Sequence, residues 1–139
     1  MAISAELSLD VQAKAEKIWD ILVDAGSWPS WQGSTSVELS TPGPIKEGSI
    51  FIVNLDGMKW NLVVTKAERP RRLIWMGQCI GLKAIHEWEF SEEQGKTRIT
   101  SKETLTGWLL LFFSPLIKKG LSDTDDKWLA ALKVKSESS

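Results

Sequence analysis

The sequence has no tyrosine, one histidine and one cysteine among its 139 residues. A lone Cys79 rules out an intramolecular disulfide and a cysteine-based zinc site, and this usage points to a cytoplasmic protein. Charge of one sign is also missing: 17 basic residues face 18 acidic ones, for a formal net charge of -1. Nothing in that balance offers a footprint for DNA, RNA or anionic lipid, so nucleic acid is not an expected partner. The opening MAISAELSLDVQ lacks a basic region followed by an apolar run, and so does not read as a signal peptide. The most apolar stretch, Trp108 to Ile117, is interrupted by Pro115 and has about half of the ~20 residues that crossing a bilayer takes. It is expected to be a buried helix, with no stable membrane insertion. Neither GxGxxG nor GxSxG occurs, which removes the dinucleotide fingerprint and the nucleophile elbow.

What remains is one domain's worth of chain, long enough to bury roughly two-thirds of its unfolded surface. Its aromatic usage is concentrated in eight tryptophans. Tryptophan combines a large apolar area with one N–H donor that needs a partner when buried, which suits cores and the flat walls of apolar pockets.

Hydrophobic periodicity orders the chain. Ile3, Ala5, Leu7, Leu9 and Val11 alternate with polar residues as in a half-buried strand. From Lys14 the period becomes helical, with Ala15, Ile18, Trp19, Leu22 and Val23 on one stripe and Gly26 as the expected C-cap. Pro29 suits the first turn of a short second helix across Ser27–Trp31. Strands are predicted over 36–40, 49–56, 60–67, 73–79, 83–90 and 97–105, with a turn at Asp56-Gly57. A helix is predicted from Gly107 to about Val134, kinked at Pro115 and bent or interrupted at Gly120, with Ser122 as a second N-cap and a frayed tail over 135–139. No repeat, linker or low-complexity block divides the chain. The order strand, two helices, six strands, long helix makes one α+β domain over 1–139, its sheet burying one face on the C-terminal helix.

KIWDILVDAGSWPSWQ near the start, GLKAIHEWEF followed by GKTRITSKETLTG, and DKWLAALK at the end together resemble the START-like helix-grip superfamily, in its polyketide cyclase/dehydrase-like branch. The resemblance implies a seven-stranded curved antiparallel sheet around the last helix. It also implies a cavity that in many relatives holds a lipid, sterol, polyketide or hormone. Fold transfers through such a resemblance; activity belongs to sites grafted on the fold.

Alternation places Ala84, His86, Trp88 and Phe90 on the inner face of one strand, and Ile99, Ser101, Glu103 and Leu105 on the inner face of the next. A two-residue turn at Gln94-Gly95 sets His86 opposite Glu103, and a four-residue loop sets it opposite Ser101. His86 is either a core histidine satisfied by its neighbours, a ligand contact or an acid/base group. Glu103 either joins a buried polar network with His86 and Ser101 or sits at the sheet's rim beside a cation. Trp28 and Trp31 are a lid, a wall or a plug; Trp60, Trp75, Trp88 and Phe112 complete the expected ligand contacts. Asp123, Asp125 and Asp126 are split between helical faces with no EF-hand loop around them, so neither metal nor cofactor is expected. Lys118 and Lys119 mark either the solvent end of the helix or a membrane-touching segment. Three functions stay open: binding of a small hydrophobic ligand, cyclase, aromatase or dehydratase chemistry with His86 as acid/base, and a protein-interaction role of the chaperone-ATPase-activator type.

Overall fold

In the computed structural model, which describes residues 2–32, 35–55 and 57–138, the period-2 segments form seven strands: β1 Ala2–Val11, β2 Thr35–Leu39, β3 Ile50–Leu55, β4 Met58–Glu68, β5 Arg72–Cys79, β6 Leu82–Glu93 and β7 Lys96–Thr106. Two helices, α1 Ala15–Val23 and α2 Trp28–Trp31, lie between β1 and β2, and α3 Leu110–Glu137 ends the fold. The strands pair antiparallel in the order β1-β7-β6-β5-β4-β3-β2. The first two strands therefore occupy opposite edges, and α1 and α2 carry the chain between them. Asp56, half of the expected Asp56-Gly57 turn, lies outside the described residues, as does Ser139 at the tail.

The β6–β7 hairpin fixes the site's geometry. Gln94 and Gly95 have φ of 54° and 76°, the left-handed pair of a two-residue turn whose twist matches the strands. Glu93 then pairs with Lys96, and counting back along the ladder brings His86 opposite Glu103 and Trp88 opposite Ser101. The shorter of the two expected turns is the one present.

The core forms where the sheet meets α1, α2 and the C-terminal half of α3. Ile18 and Leu22 of α1, Phe51, Val64, Leu73, Trp88 and Ile99 of the sheet, and Leu132 of α3 are all fully buried. Trp28 is the hub. Its ring meets Phe51, Trp75 and Trp128 at centroid distances of 5.7, 5.4 and 4.9 Å, and its Nε1–H donates to the Leu22 carbonyl at 2.9 Å. The contacts with Phe51 and Trp128 are edge-to-face, a geometry that contributes about 0.5–1.5 kcal/mol per pair beyond area burial. The single N–H that tryptophan brings inside is thereby satisfied.

Several helix details differ from the sequence expectation. Gly26 is not a cap: α1 ends at Asp24, and a 3-10 turn over Ala25–Ser27 leads directly into α2. In α3 the distortion sits at Phe113 (φ -131°, ψ 22°), two residues before the proline whose missing N–H and bulky ring disturb the preceding turn. Gly120 stays helical and Ser122 caps nothing. At the far end the helix persists to Glu137, where Ser136 is buried and Glu137 accepts the Gln12 N–H at 2.8 Å; these contacts hold the turn expected to fray. The stretch expected to be a buried helix is open on one side instead. Trp108, Leu111, Phe112, Phe113 and Leu116 are exposed, while Leu110 is buried in a cluster with Leu82, Ala84 and Leu105, so one side of this segment packs on the sheet and the other faces out. No helix among the described residues is long and apolar enough to cross a membrane.

Candidate functional site

A cavity of about 340 Å³ lies between the inner face of β3–β7 and the middle of α3. Small-molecule sites fall in the range of about 300–1,000 Å³ and combine apolar walls with a few placed polar groups. Here Trp28, Trp60, Trp75 and Trp128 supply broad flat walls, Leu105 and Leu121 fill between them, and His86, Glu103 and Thr124 supply polar atoms.

The polar end is built by three elements. From β6, His86 stacks on Trp88 (centroids 4.5 Å apart, planes at 18°) and meets the edge of Trp75 at 5.3 Å. These rings fix the imidazole plane. Its Nε2 shares a hydrogen bond with Ser101 Oγ at 2.7 Å, and its Nδ1 lies 3.6 Å from Glu103 Oε2. From α3, Asp125 reaches the same point: His86, Glu103 and Asp125 each offer a ligand atom, all within 4.8 Å of one another. Asp125 is 1% exposed, and both its carboxylate oxygens are buried without a hydrogen-bond donor unless Glu103 itself carries a proton.

Burial governs the titration of all three groups, because removing water penalises the charged form. It pushes the imidazole down to about 3, so His86 is neutral at physiological pH. It also raises the Glu103 carboxyl well above its usual range, with the charge of Asp125 and the hydrogen bond Glu103 donates to it adding to the rise. Asp125 is pushed up to about 6 by burial, against the lowering effect of the bond from Glu103 and with the nearby Asp126 charge as a further rise. Burial thus holds His86 as the neutral imidazole and favours the protonated form of Glu103, which donates to the Asp125 carboxylate. Ser101, His86 and Glu103 have the connectivity of a nucleophilic triad, but Ser101 is 1% exposed and does not border the cavity. Its hydroxyl orients the ring and cannot reach a substrate.

Of the residues expected at the site, Trp28, Trp60, Trp75, His86, Glu103 and Leu105 line the cavity. Four do not. Trp88 is wholly buried beneath His86, Ser101 sits behind the imidazole, Trp31 packs edge-on against Trp128 at 5.8 Å, and Phe112 is 71% exposed on the far side of the α3 kink. Glu103 is in the buried network, its side chain 16% exposed, and not paired with a cation at the rim. Trp128 and Asp125 are the residues sequence reasoning missed. The signal was present: Leu121, Asp125, Trp128 and Leu132 recur at helical spacing, an aspartate within an apolar stripe. Asp123, Asp125 and Asp126 do divide between faces, and one of those faces is the inner one.

A seven-stranded antiparallel sheet gripping its C-terminal helix around such a cavity defines a START-like helix-grip domain. The sequence model of the family described as polyketide cyclase / dehydrase and lipid transport matches residues 2–137. The chain belongs to that family. Among solved structures it resembles the ZhuI aromatase/cyclase from Streptomyces sp. R1128, with a TM-score of 0.82, 14% identity, and 99% of this chain and 94% of that chain covered. A START superfamily protein from Mycobacterium smegmatis gives a TM-score of 0.81 at 17% identity, covering 97% of both chains. A truncated norcoclaurine synthase from Thalictrum flavum gives 0.74 at 13% identity, covering 96% of this chain and 92% of that one. At such identities the likeness is one of fold. No curated protein matches the chain in sequence.

Proposed function

We propose that the protein binds an apolar or amphipathic small molecule, lipid- or polyketide-like, with its ring or chain between the tryptophans and one polar group at the His86–Glu103 end. The observation that carries this reading is the cavity of about 340 Å³, apolar along its walls and polar at one end. The family's description, which joins polyketide chemistry and lipid transport, supports the same class of ligand. A ligand oxygen there meets a carboxyl that donates, Glu103, and a neutral imidazole beside it. An interior with a void of this size argues against a domain working only through its outer surface, as a chaperone-ATPase activator does.

A second reading, cyclase or dehydratase chemistry, is favoured by one observation: burial raises the Glu103 carboxyl well above its usual range where it borders the cavity, favouring its protonated form. A buried neutral carboxyl is a proton donor held ready for a leaving hydroxyl. His86 is the poorer choice for the general base, because a group pushed down to about 3 is weakly basic. The solved aromatase/cyclase of the same fold agrees with this reading.

The test is a titration of ligand-free protein with fatty acids, sterols, flavonoids and aromatic polyketides, followed by tryptophan emission and thermal midpoint. Saturable shifts for one chemical class, weakened in Glu103→Gln and His86→Ala, are expected. No response to any class refutes the binding reading, and conversion of a bound hydroxy-ketone, lost in Glu103→Gln, selects the enzymatic one.

A further inference from the structure

We propose that His86, Glu103 and Asp125 form a binding site for a divalent transition-metal cation at the polar end of the cavity. The inference rests on the side-chain geometry and stands whatever fills the apolar part.

Three electron-rich atoms converge there from β6, β7 and α3. The Nδ1–Oε2 separation of 3.6 Å is already that of two ligands on one ion. Ligands facing each other across an ion at about 2.1 Å are about 4.2 Å apart, so the widest spacing, 4.8 Å, closes by a small side-chain rotation. With the Nε2–H of His86 donating to Ser101 Oγ, Nδ1 keeps its lone pair and points it at the carboxylates. A ring nitrogen held by a hydrogen bond behind it is the usual arrangement around a metal-bound histidine.

The donor deficit points to the cation. Asp125 is 1% exposed, and among the described residues its oxygens have no hydrogen-bond donor other than a protonated Glu103. No lysine or arginine forms an ion pair with Asp125 or Glu103 among the described residues. A proton shared between the two carboxyls satisfies only part of this set. A dication neutralises two carboxylates and takes up the Nδ1 lone pair at once. One nitrogen and two carboxylate oxygens suit zinc, manganese(II) or iron(II), whereas calcium requires more oxygen ligands than these three residues supply. His86 and Glu103, on the sheet, border the cavity, and Asp125, on α3, does not. The remaining coordination positions therefore open toward the cavity, where water or a ligand oxygen can bind, as in catalytic and unlike closed structural sites.

The probe is cobalt(II) added to chelator-treated protein, read by its visible absorption and by the ring protons of the only histidine. Saturable one-to-one uptake is expected, with absorption of a low-coordinate site, displacement by zinc, and large paramagnetic shifts of the His86 signals. Asp125→Asn and Glu103→Gln should each weaken uptake by at least about tenfold. Absence of saturable uptake overturns the proposal, as does uptake undiminished in both variants. Should either variant fail to fold, the wild-type His86 signals decide alone: cobalt that binds without shifting them is bound elsewhere, which also overturns it.

Discussion

Asp125 carries a charge whose sole donor among the described residues of the metal-free protein is the Glu103 carboxyl, and replacing it with asparagine measures what that charge does to stability. Its carboxyl is pushed from 3.8 to about 6, so the folded state holds this proton more tightly than the unfolded state does. Between those two pH values the native protein carries the extra proton, and stability falls as pH rises through the window. Above about pH 6 the loss is complete. The interval from 3.8 to about 6 corresponds to about 3 kcal/mol. Asparagine is nearly isosteric with the protonated acid and has no charge to gain. In chelator-treated protein, Asp125→Asn should match the wild type near pH 4 and exceed it by up to about 3 kcal/mol at pH 8, a rise of about 10 °C in midpoint for a domain of this size. Glu103 shifts in the same direction, so relieving it adds to the effect. Urea or thermal unfolding of both proteins across pH 4–8 is the assay. A variant that is less stable by the same margin at every pH would overturn this prediction, since the Asp125 carboxylate would then make a favourable contact, beyond the bond from Glu103, that outweighs the cost of its burial.

The ring protons of His86, pushed down to about 3, should show no titration between pH 5 and 8 by NMR; a midpoint near the ordinary 6.5 contradicts the buried, neutral assignment. Gly107 has φ +133°, and a Cβ there would lie 2.2 Å from the Gly81 carbonyl oxygen, so Gly107→Ala should lower stability by at least about 2 kcal/mol in urea melts. Gly120 sits inside α3 with nothing within 4 Å of an added Cβ, and Gly120→Ala should raise stability by about 0.5–1 kcal/mol. Trp28→Phe removes the donor to the buried Leu22 carbonyl and should cost about 1–3 kcal/mol before any packing loss.

The strands and their inner faces were legible because a half-buried sheet writes its burial into the sequence with period 2. Ala84, His86, Trp88 and Phe90 alternate cleanly, and the Gln94-Gly95 turn narrows their partners to two registers. The α3 region was less legible because periodicity reports which residues share a face and not what that face meets. Trp108 to Leu116 is apolar enough to be buried, yet Leu110 alone is fully buried there while Trp108, Leu111, Phe112, Phe113 and Leu116 are exposed. Asp125 reads as one of three acidic residues until the register of α3 against β7 is known. Trp88 is inward in the pattern, whereas the alternation around Trp75 does not assign it a face; the depth that puts the first beneath His86 and the second on the cavity wall is a property of the sheet's curvature.

The decisive measurement is a crystal structure of the protein with whichever lipid- or polyketide-like compound binds most tightly. The ligand is expected between the sheet and α3, its apolar body against Trp60, Trp75 and Leu105 and a polar atom at Glu103. A ligand seated on the exposed Trp108–Leu116 strip, with the cavity filled by water, would contradict binding in the cavity.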